Sequence, residues 1–136
     1  MTFVGHATTL VEVAGRRILT DPLLTGRVAF IRRVVDPVPE STALDLDLVL
    51  LSHLHQDHLH VPSLRRIAPG TPVVVPKDGA YAARRGRFDD IVEVVAGDRI
   101  DLGDVTISVV PARHSAQRWP IGRRAEPVGY VVEGDG

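Results

Sequence analysis

Leu48-Val49-Leu50-Leu51 is an unbroken apolar run, and it stops two residues short of the most unusual stretch in the chain, His53-Leu54-His55-Gln56-Asp57-His58-Leu59-His60. The run belongs to a longer segment, Leu46 to Ser52, without polar alternation. That pattern predicts a strand buried on both faces, which in turn requires a sheet covered on both sides. At the end of such a strand the backbone is free to bend around an ion. His53, His55 and His58, with the Asp57 carboxylate, crowd four donors into a single turn. Neutral imidazole and carboxylate suit zinc and other borderline metals, whereas calcium and magnesium call for oxygen ligands. A metal centre is therefore expected, with zinc first, and manganese or iron served by the same donors. The competing reading is a histidine-rich tract that binds metal incidentally. This tract is not low-complexity, and it follows a well-formed strand signal.

At 136 residues the chain is long enough for one domain with a real core and short for two, so a single domain over 1–136 is expected. Hydrophobic residues at 44% and charged residues at 24% are globular values. A formal net charge of -1 gives no global electrostatic case for nucleic acid or an anionic membrane. The basic pairs Arg32-Arg33, Arg84-Arg85 and Arg123-Arg124 read as solvated surface. The absence of cysteine leaves only nitrogen and oxygen donors for a metal and fits a cytoplasmic protein. No apolar stretch approaches the ~20 residues of a membrane span, and the first residues lack the pattern of a signal peptide. A soluble, unexported protein is the expectation.

Taken in order, Thr2 to Gly5, Thr8 to Val13 and Arg17 to Thr20 read as a β-meander that ends at Asp21-Pro22, where proline has no amide hydrogen for a ladder. Leu23 to Ser41 reads as a loop with a short helix around Gly26 to Arg33. Beyond the histidine turn, Pro62 to Ala68 predicts a helix with proline in its first turn. Thr71 to Pro76 predicts a strand, and Gly79 to Arg85 a helix stopped by Gly86. Ile91 to Val94 and Val105 to Val110 are further strands, the second with one strongly apolar face that delivers Pro111-Ala112-Arg113-His114 at its end. Val128 to Glu133 is a last strand, expected at a sheet edge because no partner follows Gly134-Asp135-Gly136.

Three imidazoles around one zinc, at about 2.0–2.1 Å, leave a fourth position for water and lower its pKa toward ~7. His53, His55 and His114 are candidates for such a set. Asp57 and His58 point to a second metal position beside it, where the Asp57 carboxylate could also orient the nucleophile. These residues resemble the metallo-β-lactamase-fold hydrolases, through His53-x-His55-x-Asp57-His58 after an apolar strand that begins with Asp45 and Asp47. Gly5-His6-Ala7-Thr8, Leu19-Thr20-Asp21-Pro22 and Pro111-Ala112-Arg113-His114-Ser115 are similar, in order, to the ascorbate-6-phosphate lactonase and N-acyl-phosphatidylethanolamine phospholipase D branch.

The resemblance implies an α+β fold, a four-layer αββα sandwich of two similar halves, of which this chain supplies about the N-terminal one. It implies that His53, His55 and His114 hold one metal and that Asp57 and His58 belong to the second. Asp21 would orient a ligand by hydrogen bonding. His6 would lie near the site, against the alternative of a histidine tucked into the first hairpin. His60 reads as a helix cap or surface residue, and Arg118 and Trp119 as loop surface or substrate mouth. The family's bridging carboxylate and last histidine fall beyond Gly136, and Asp135 is not assigned as that bridge. Without them the chain is expected to favour the first metal position, to expose apolar surface, and to be truncated or completed by another chain or an oligomer.

The implied activity is hydrolysis of a small-molecule phosphodiester, lactone or related ester. The alternatives are a non-catalytic metal-binding fragment or association module, and an iron-dependent sulfur dioxygenase, which shares the histidine core.

Overall fold

In the computed structural model, which describes residues 1–28, 30–34, 38–113 and 125–135, the N-terminal meander forms as expected. β1 (Thr2–Gly5), β2 (Thr8–Val13) and β3 (Arg16–Thr20) pair antiparallel in chain order. Among the described residues no helix forms around Gly26 to Arg33, where one was expected. In its place β4 (Arg27–Val28) pairs antiparallel with β5 (Ile31–Arg32) as a small ribbon. The reason is visible in the backbone: the Arg33 amide donates to Gly26 O at 2.8 Å, folding the segment back on itself. The β-branched Val28 and Ile31 favour the extended state.

β6 (Leu48–Leu50), β7 (Val73–Pro76) and β8 (Ile91–Val94) then extend β3 in parallel, giving the order β1-β2-β3-β6-β7-β8. Parallel neighbours need crossovers, and α1 (Val61–Leu64) and α2 (Ala80–Arg85) lie in them. The first helix is shorter than expected. Beyond Leu64 the chain continues in tighter turns, with the Arg66 amide bonded to Ser63 O at 3.0 Å, yet Ile67 still reaches the core. β9 (Arg99–Asp101), β10 (Val105–Pro111) and β11 (Val128–Gly134) form a second, antiparallel sheet in the order β11-β10-β9. Among the described residues β11 pairs with β10.

Side-chain alternation fixes how these layers stack. Ile18, Leu48, Leu50 and Val74 leave one face of the large sheet and meet Val105, Ile107, Val109 and Val128 of the small one. Leu19, Val49, Leu51, Val73 and Val75 leave the other face and meet Leu64, Ala82 and Ala83 of the helices. The described residues therefore stack as helices, large sheet, small sheet, an α+β sandwich with β6 buried on both faces. Apolar surface is exposed at Phe3, Val92, Val95 and Val131, and on the outer face of the small sheet alternation mixes Thr106 and Ser108 with Val110, Val131 and Glu133.

A polar clamp holds the start of β6. The Asp47 carboxylate accepts the Arg17 amide at 2.8 Å and the Arg16 guanidinium at 3.0 Å. The Arg17 backbone bond holds the Asp47 carboxyl below the usual carboxylate range; partial burial opposes this, and Arg16 reinforces it. A depressed folded pKa means the stabilisation is full above the ordinary value of ~3.9 and is lost as pH falls through the folded value. Asp47→Asn is expected to lower urea stability at pH 7, with the difference from wild type shrinking below pH ~4. Leu50→Ala, at a position with no exposed surface, is expected to cost about 2–5 kcal/mol in the same measurement.

Candidate metal centre

The turn after β6 is held by its apolar residues and presents its polar ones. Leu54 and Leu59 are buried in the core on the helix side. The amides of His58 and Leu59 both donate to His55 O, at 3.0 and 2.8 Å. With the leucines anchored inward, His53, His55, Asp57 and His58 gather on the other side. The His53 ring centroid lies 4.8 Å from that of His55 and 3.7 Å from that of His58.

Asp21 organises this group from the end of β3. Its backbone sits at φ 38, a left-handed conformation that aspartate tolerates better than most residues. Its amide still donates to Leu50 O at 2.9 Å, and its carbonyl accepts the Thr8 hydroxyl at 2.8 Å. The carboxylate, buried, accepts the Ser52 amide at 2.7 Å and the Ser52 hydroxyl at 2.6 Å. It also lies 3.0 Å from His58 Nδ1.

This pattern decides which nitrogens face outward. The Ser52 hydroxyl has one hydrogen and gives it to Asp21, so at 2.9 Å it accepts from His53 Nδ1. His58 Nδ1 faces the same carboxylate at 3.0 Å. In the His53 ring Nε2 is then the lone-pair nitrogen, an assignment made from the hydrogen-bond network. Metal-binding histidines are commonly oriented by a carboxylate or hydroxyl partner in this way. Ser52 and Thr8 were not singled out by sequence reasoning. Their position beside His53 and within Gly5-His6-Ala7-Thr8 was the only signal available.

Asp57 stands between two imidazoles. His6 Nε2 lies 2.8 Å from Asp57 Oδ2, and His58 Nε2 lies 3.7 Å from the same oxygen. His6 is in the turn of the first hairpin, at φ 56, so it is both a hairpin residue and a partner of the site. Burial pushes the Asp57 carboxyl up, but the His6 hydrogen bond and the His58 charge outweigh it and hold the group below its usual range. Asp57 is thus a carboxylate at neutral pH. Behind the site the Tyr130 hydroxyl donates to Leu51 O at 2.7 Å. Burial, and then the Asp21 charge, push that phenol far above its ordinary pKa, so it remains a neutral donor.

Two overlapping donor groups result, His53-His55-Asp57 and His6-Asp57-His58, each offering ligand atoms within 4.8 Å of one another. Imidazole nitrogen and carboxylate oxygen at this spacing fit a transition-metal ion, with Asp57 common to both groups. His114, the third imidazole expected at the first position, lies outside the described residues, as do Arg118 and Trp119. The strand leading to it does end nearby. Pro111 is the register partner of Val128, whose amide donates to Ser52 O at 2.8 Å. His60 precedes α1, but its ring bonds the Ser63 hydroxyl at 2.8 Å and caps no backbone amide.

Residues 16–136 match the family described as Beta-lactamase superfamily domain, and the chain belongs to that family. A metal-dependent hydrolase from Flavobacterium johnsoniae is 31% identical, matched over 99% of this chain and 57% of its own length. An N-acyl-phosphatidylethanolamine-hydrolyzing phospholipase D from Caenorhabditis elegans is 28% identical over 86% of this chain and 38% of its own. Among solved structures, CmlA, a diiron beta-hydroxylase from Streptomyces venezuelae, is 26% identical with a TM-score of 0.69, over 98% of this chain and 27% of that one. The chain therefore spans 57% of one of these curated relatives and 38% of the other.

Removing the Asp21 carboxylate strips a charged acceptor from a buried hydroxyl, an amide and an imidazole. Asp21→Ala is expected to lower the stability of the metal-free protein by about 1–3 kcal/mol. Denaturant titration in the absence of metal checks this.

Proposed function

We propose that the protein is a metal-dependent hydrolase of small-molecule phosphodiesters, lactones or related esters. His53 and His55, with His114, hold one metal ion, and Asp57 and His58 belong to a second position beside it. Zinc is the first choice, with manganese or iron served by the same donors. A metal bound there would supply Lewis acidity and an activated water at neutral pH. Asp57 is assigned the catalytic role among the chain's own residues, as the carboxylate that takes up the proton and orients the nucleophile. Asp21 fixes the His58 ring directly and the His53 ring through Ser52, and His6 fixes Asp57.

The observation that carries this reading is the Asp21-Ser52 hydrogen-bond network. It commits His53 to one tautomer, sets the same carboxylate beside His58, and gives that buried charge a purpose that packing alone does not. Hydrolysis is favoured over oxygenation because the two curated relatives above are named for hydrolysis, although CmlA is a hydroxylase. Because the chain spans less than two thirds of either relative, activity is assigned to the assembled sandwich, with residues 1–136 as one domain unit within it.

The test combines elemental analysis with turnover of bis(p-nitrophenyl) phosphate by zinc- and manganese-loaded protein. Turnover that falls by two or more orders of magnitude in His55→Ala, about 3 kcal/mol or more of lost transition-state stabilisation, together with reduced metal content, is the expected result. Folded, metal-loaded protein without turnover would instead support a non-catalytic metal-binding module.

A further inference from the structure

The β4–β5 ribbon carries an arrangement that stability alone disfavours. Arg27 and Arg32 are direct cross-strand partners, so their side chains share a face at close range, and like charges placed opposite destabilise a ribbon. Among the described residues, neither guanidinium has an ion-pair partner. Arg33 is used differently. Its guanidinium donates to Val4 O on β1, and a Cβ on Gly5 would stand 2.7 Å from it. Glycine at that position, with φ 131, lets Arg33 lie against β1 and tie the ribbon to the meander.

Together the three arginines line a cavity of about 240 Å³ whose wall also includes His6, Leu23 and Val28. No carboxylate is among its described lining residues. His6 belongs to both places: it lines this cavity, and its Nε2 lies 2.8 Å from Asp57 Oδ2. Anything bound among the arginines is therefore one imidazole away from the candidate metal centre. Arg32 and Arg33 read from the sequence as a solvated basic pair. Arg32 is exposed, but the ribbon turns it and its cross-strand partner toward a shared concave space.

We propose that this cavity binds an anionic group, a phosphate or a carboxylate, with Arg27 and Arg32 as its ligands, and that it is the subsite for the charged part of the substrate handled at the metal centre. Planar guanidinium forks match both anions in bidentate geometry, and Leu23 and Val28 accommodate a short carbon segment next to the charge. An incoming anion also removes the like-charge conflict between Arg27 and Arg32, a cost the ribbon otherwise carries. The word substrate rests on the hydrolase reading; the anion site itself does not.

The test uses metal-free protein, so that the metal cannot be the anion's partner, with phenyl phosphate, phenylacetate and benzyl alcohol as probes in isothermal titration calorimetry. At least one anion is expected to bind, more weakly as ionic strength rises, and to lose at least about tenfold in affinity in R27Q/R32Q. Which anion binds better distinguishes a phosphate from a carboxylate subsite. Thermal melting of R27Q/R32Q is expected no lower than wild type, since the like-charge pair is relieved, and this separates lost binding from lost fold. In metal-loaded protein the KM for bis(p-nitrophenyl) phosphate should rise in the same variant. Anion affinity unchanged by R27Q/R32Q, no anion binding in the wild type, or equal binding of benzyl alcohol would each overturn the proposal. Absence of turnover in metal-loaded wild type, with anion binding intact, would overturn the hydrolase reading alone.

Discussion

The Asp21 carboxylate is the point at which fold and site become one object. It ends β3, its amide continues the pairing to β6, and its two oxygens take the Ser52 amide, the Ser52 hydroxyl and His58 Nδ1. A buried charge is expensive unless its hydrogen bonds are satisfied, and here its partners are Ser52, which precedes His53, and the site residue His58. Positive φ at Asp21 and at His6 concentrates unfavourable backbone geometry where the two contact the donor cluster, a common feature of functional sites. The Thr8 hydroxyl, bonded to Asp21 O and to the Leu23 amide, holds the first hairpin against this corner.

The second constraint is β6, which serves as core and platform at once. Leu48 and Leu50 fill the space between the two sheets, and Val49 and Leu51 fill the space under the helices. A strand packed on both sides cannot slip in register without turning its side chains into the wrong layer, so the position of Ser52 and His53 at its end is rigidly set. Leu54 and Leu59 carry the same anchoring into the turn, which is why four polar side chains can be crowded there without collapsing the backbone. Catalytic and metal sites gain precision from this kind of support.

Much of this was legible in the sequence because short apolar runs and turn residues are local signals. The meander, β7, β10, β11 and the helix after the histidine turn all follow from periodicity, proline and glycine. The ribbon at Arg27–Arg32 was not legible. Two-residue strands have no measurable period, and the bond that closes this one, Arg33 N to Gly26 O, is not contained in a pattern reading that saw a short helix there.

The sequence by itself determined that His53, His55, Asp57 and His58 would share one turn at the end of a buried strand, since spacing and hydrophobicity are enough for that. Only the tertiary structure decided which ring nitrogens are held and which are presented, because Asp21 and His6 stand 31 or more positions away from Ser52 and Asp57, the residues their side chains bond. It also decided that Arg27 and Arg32 face one another beside His6. Hydrogen bonds between distant segments depend on where the layers bring the chain, and the layers are fixed by the core, whose packing no local pattern contains.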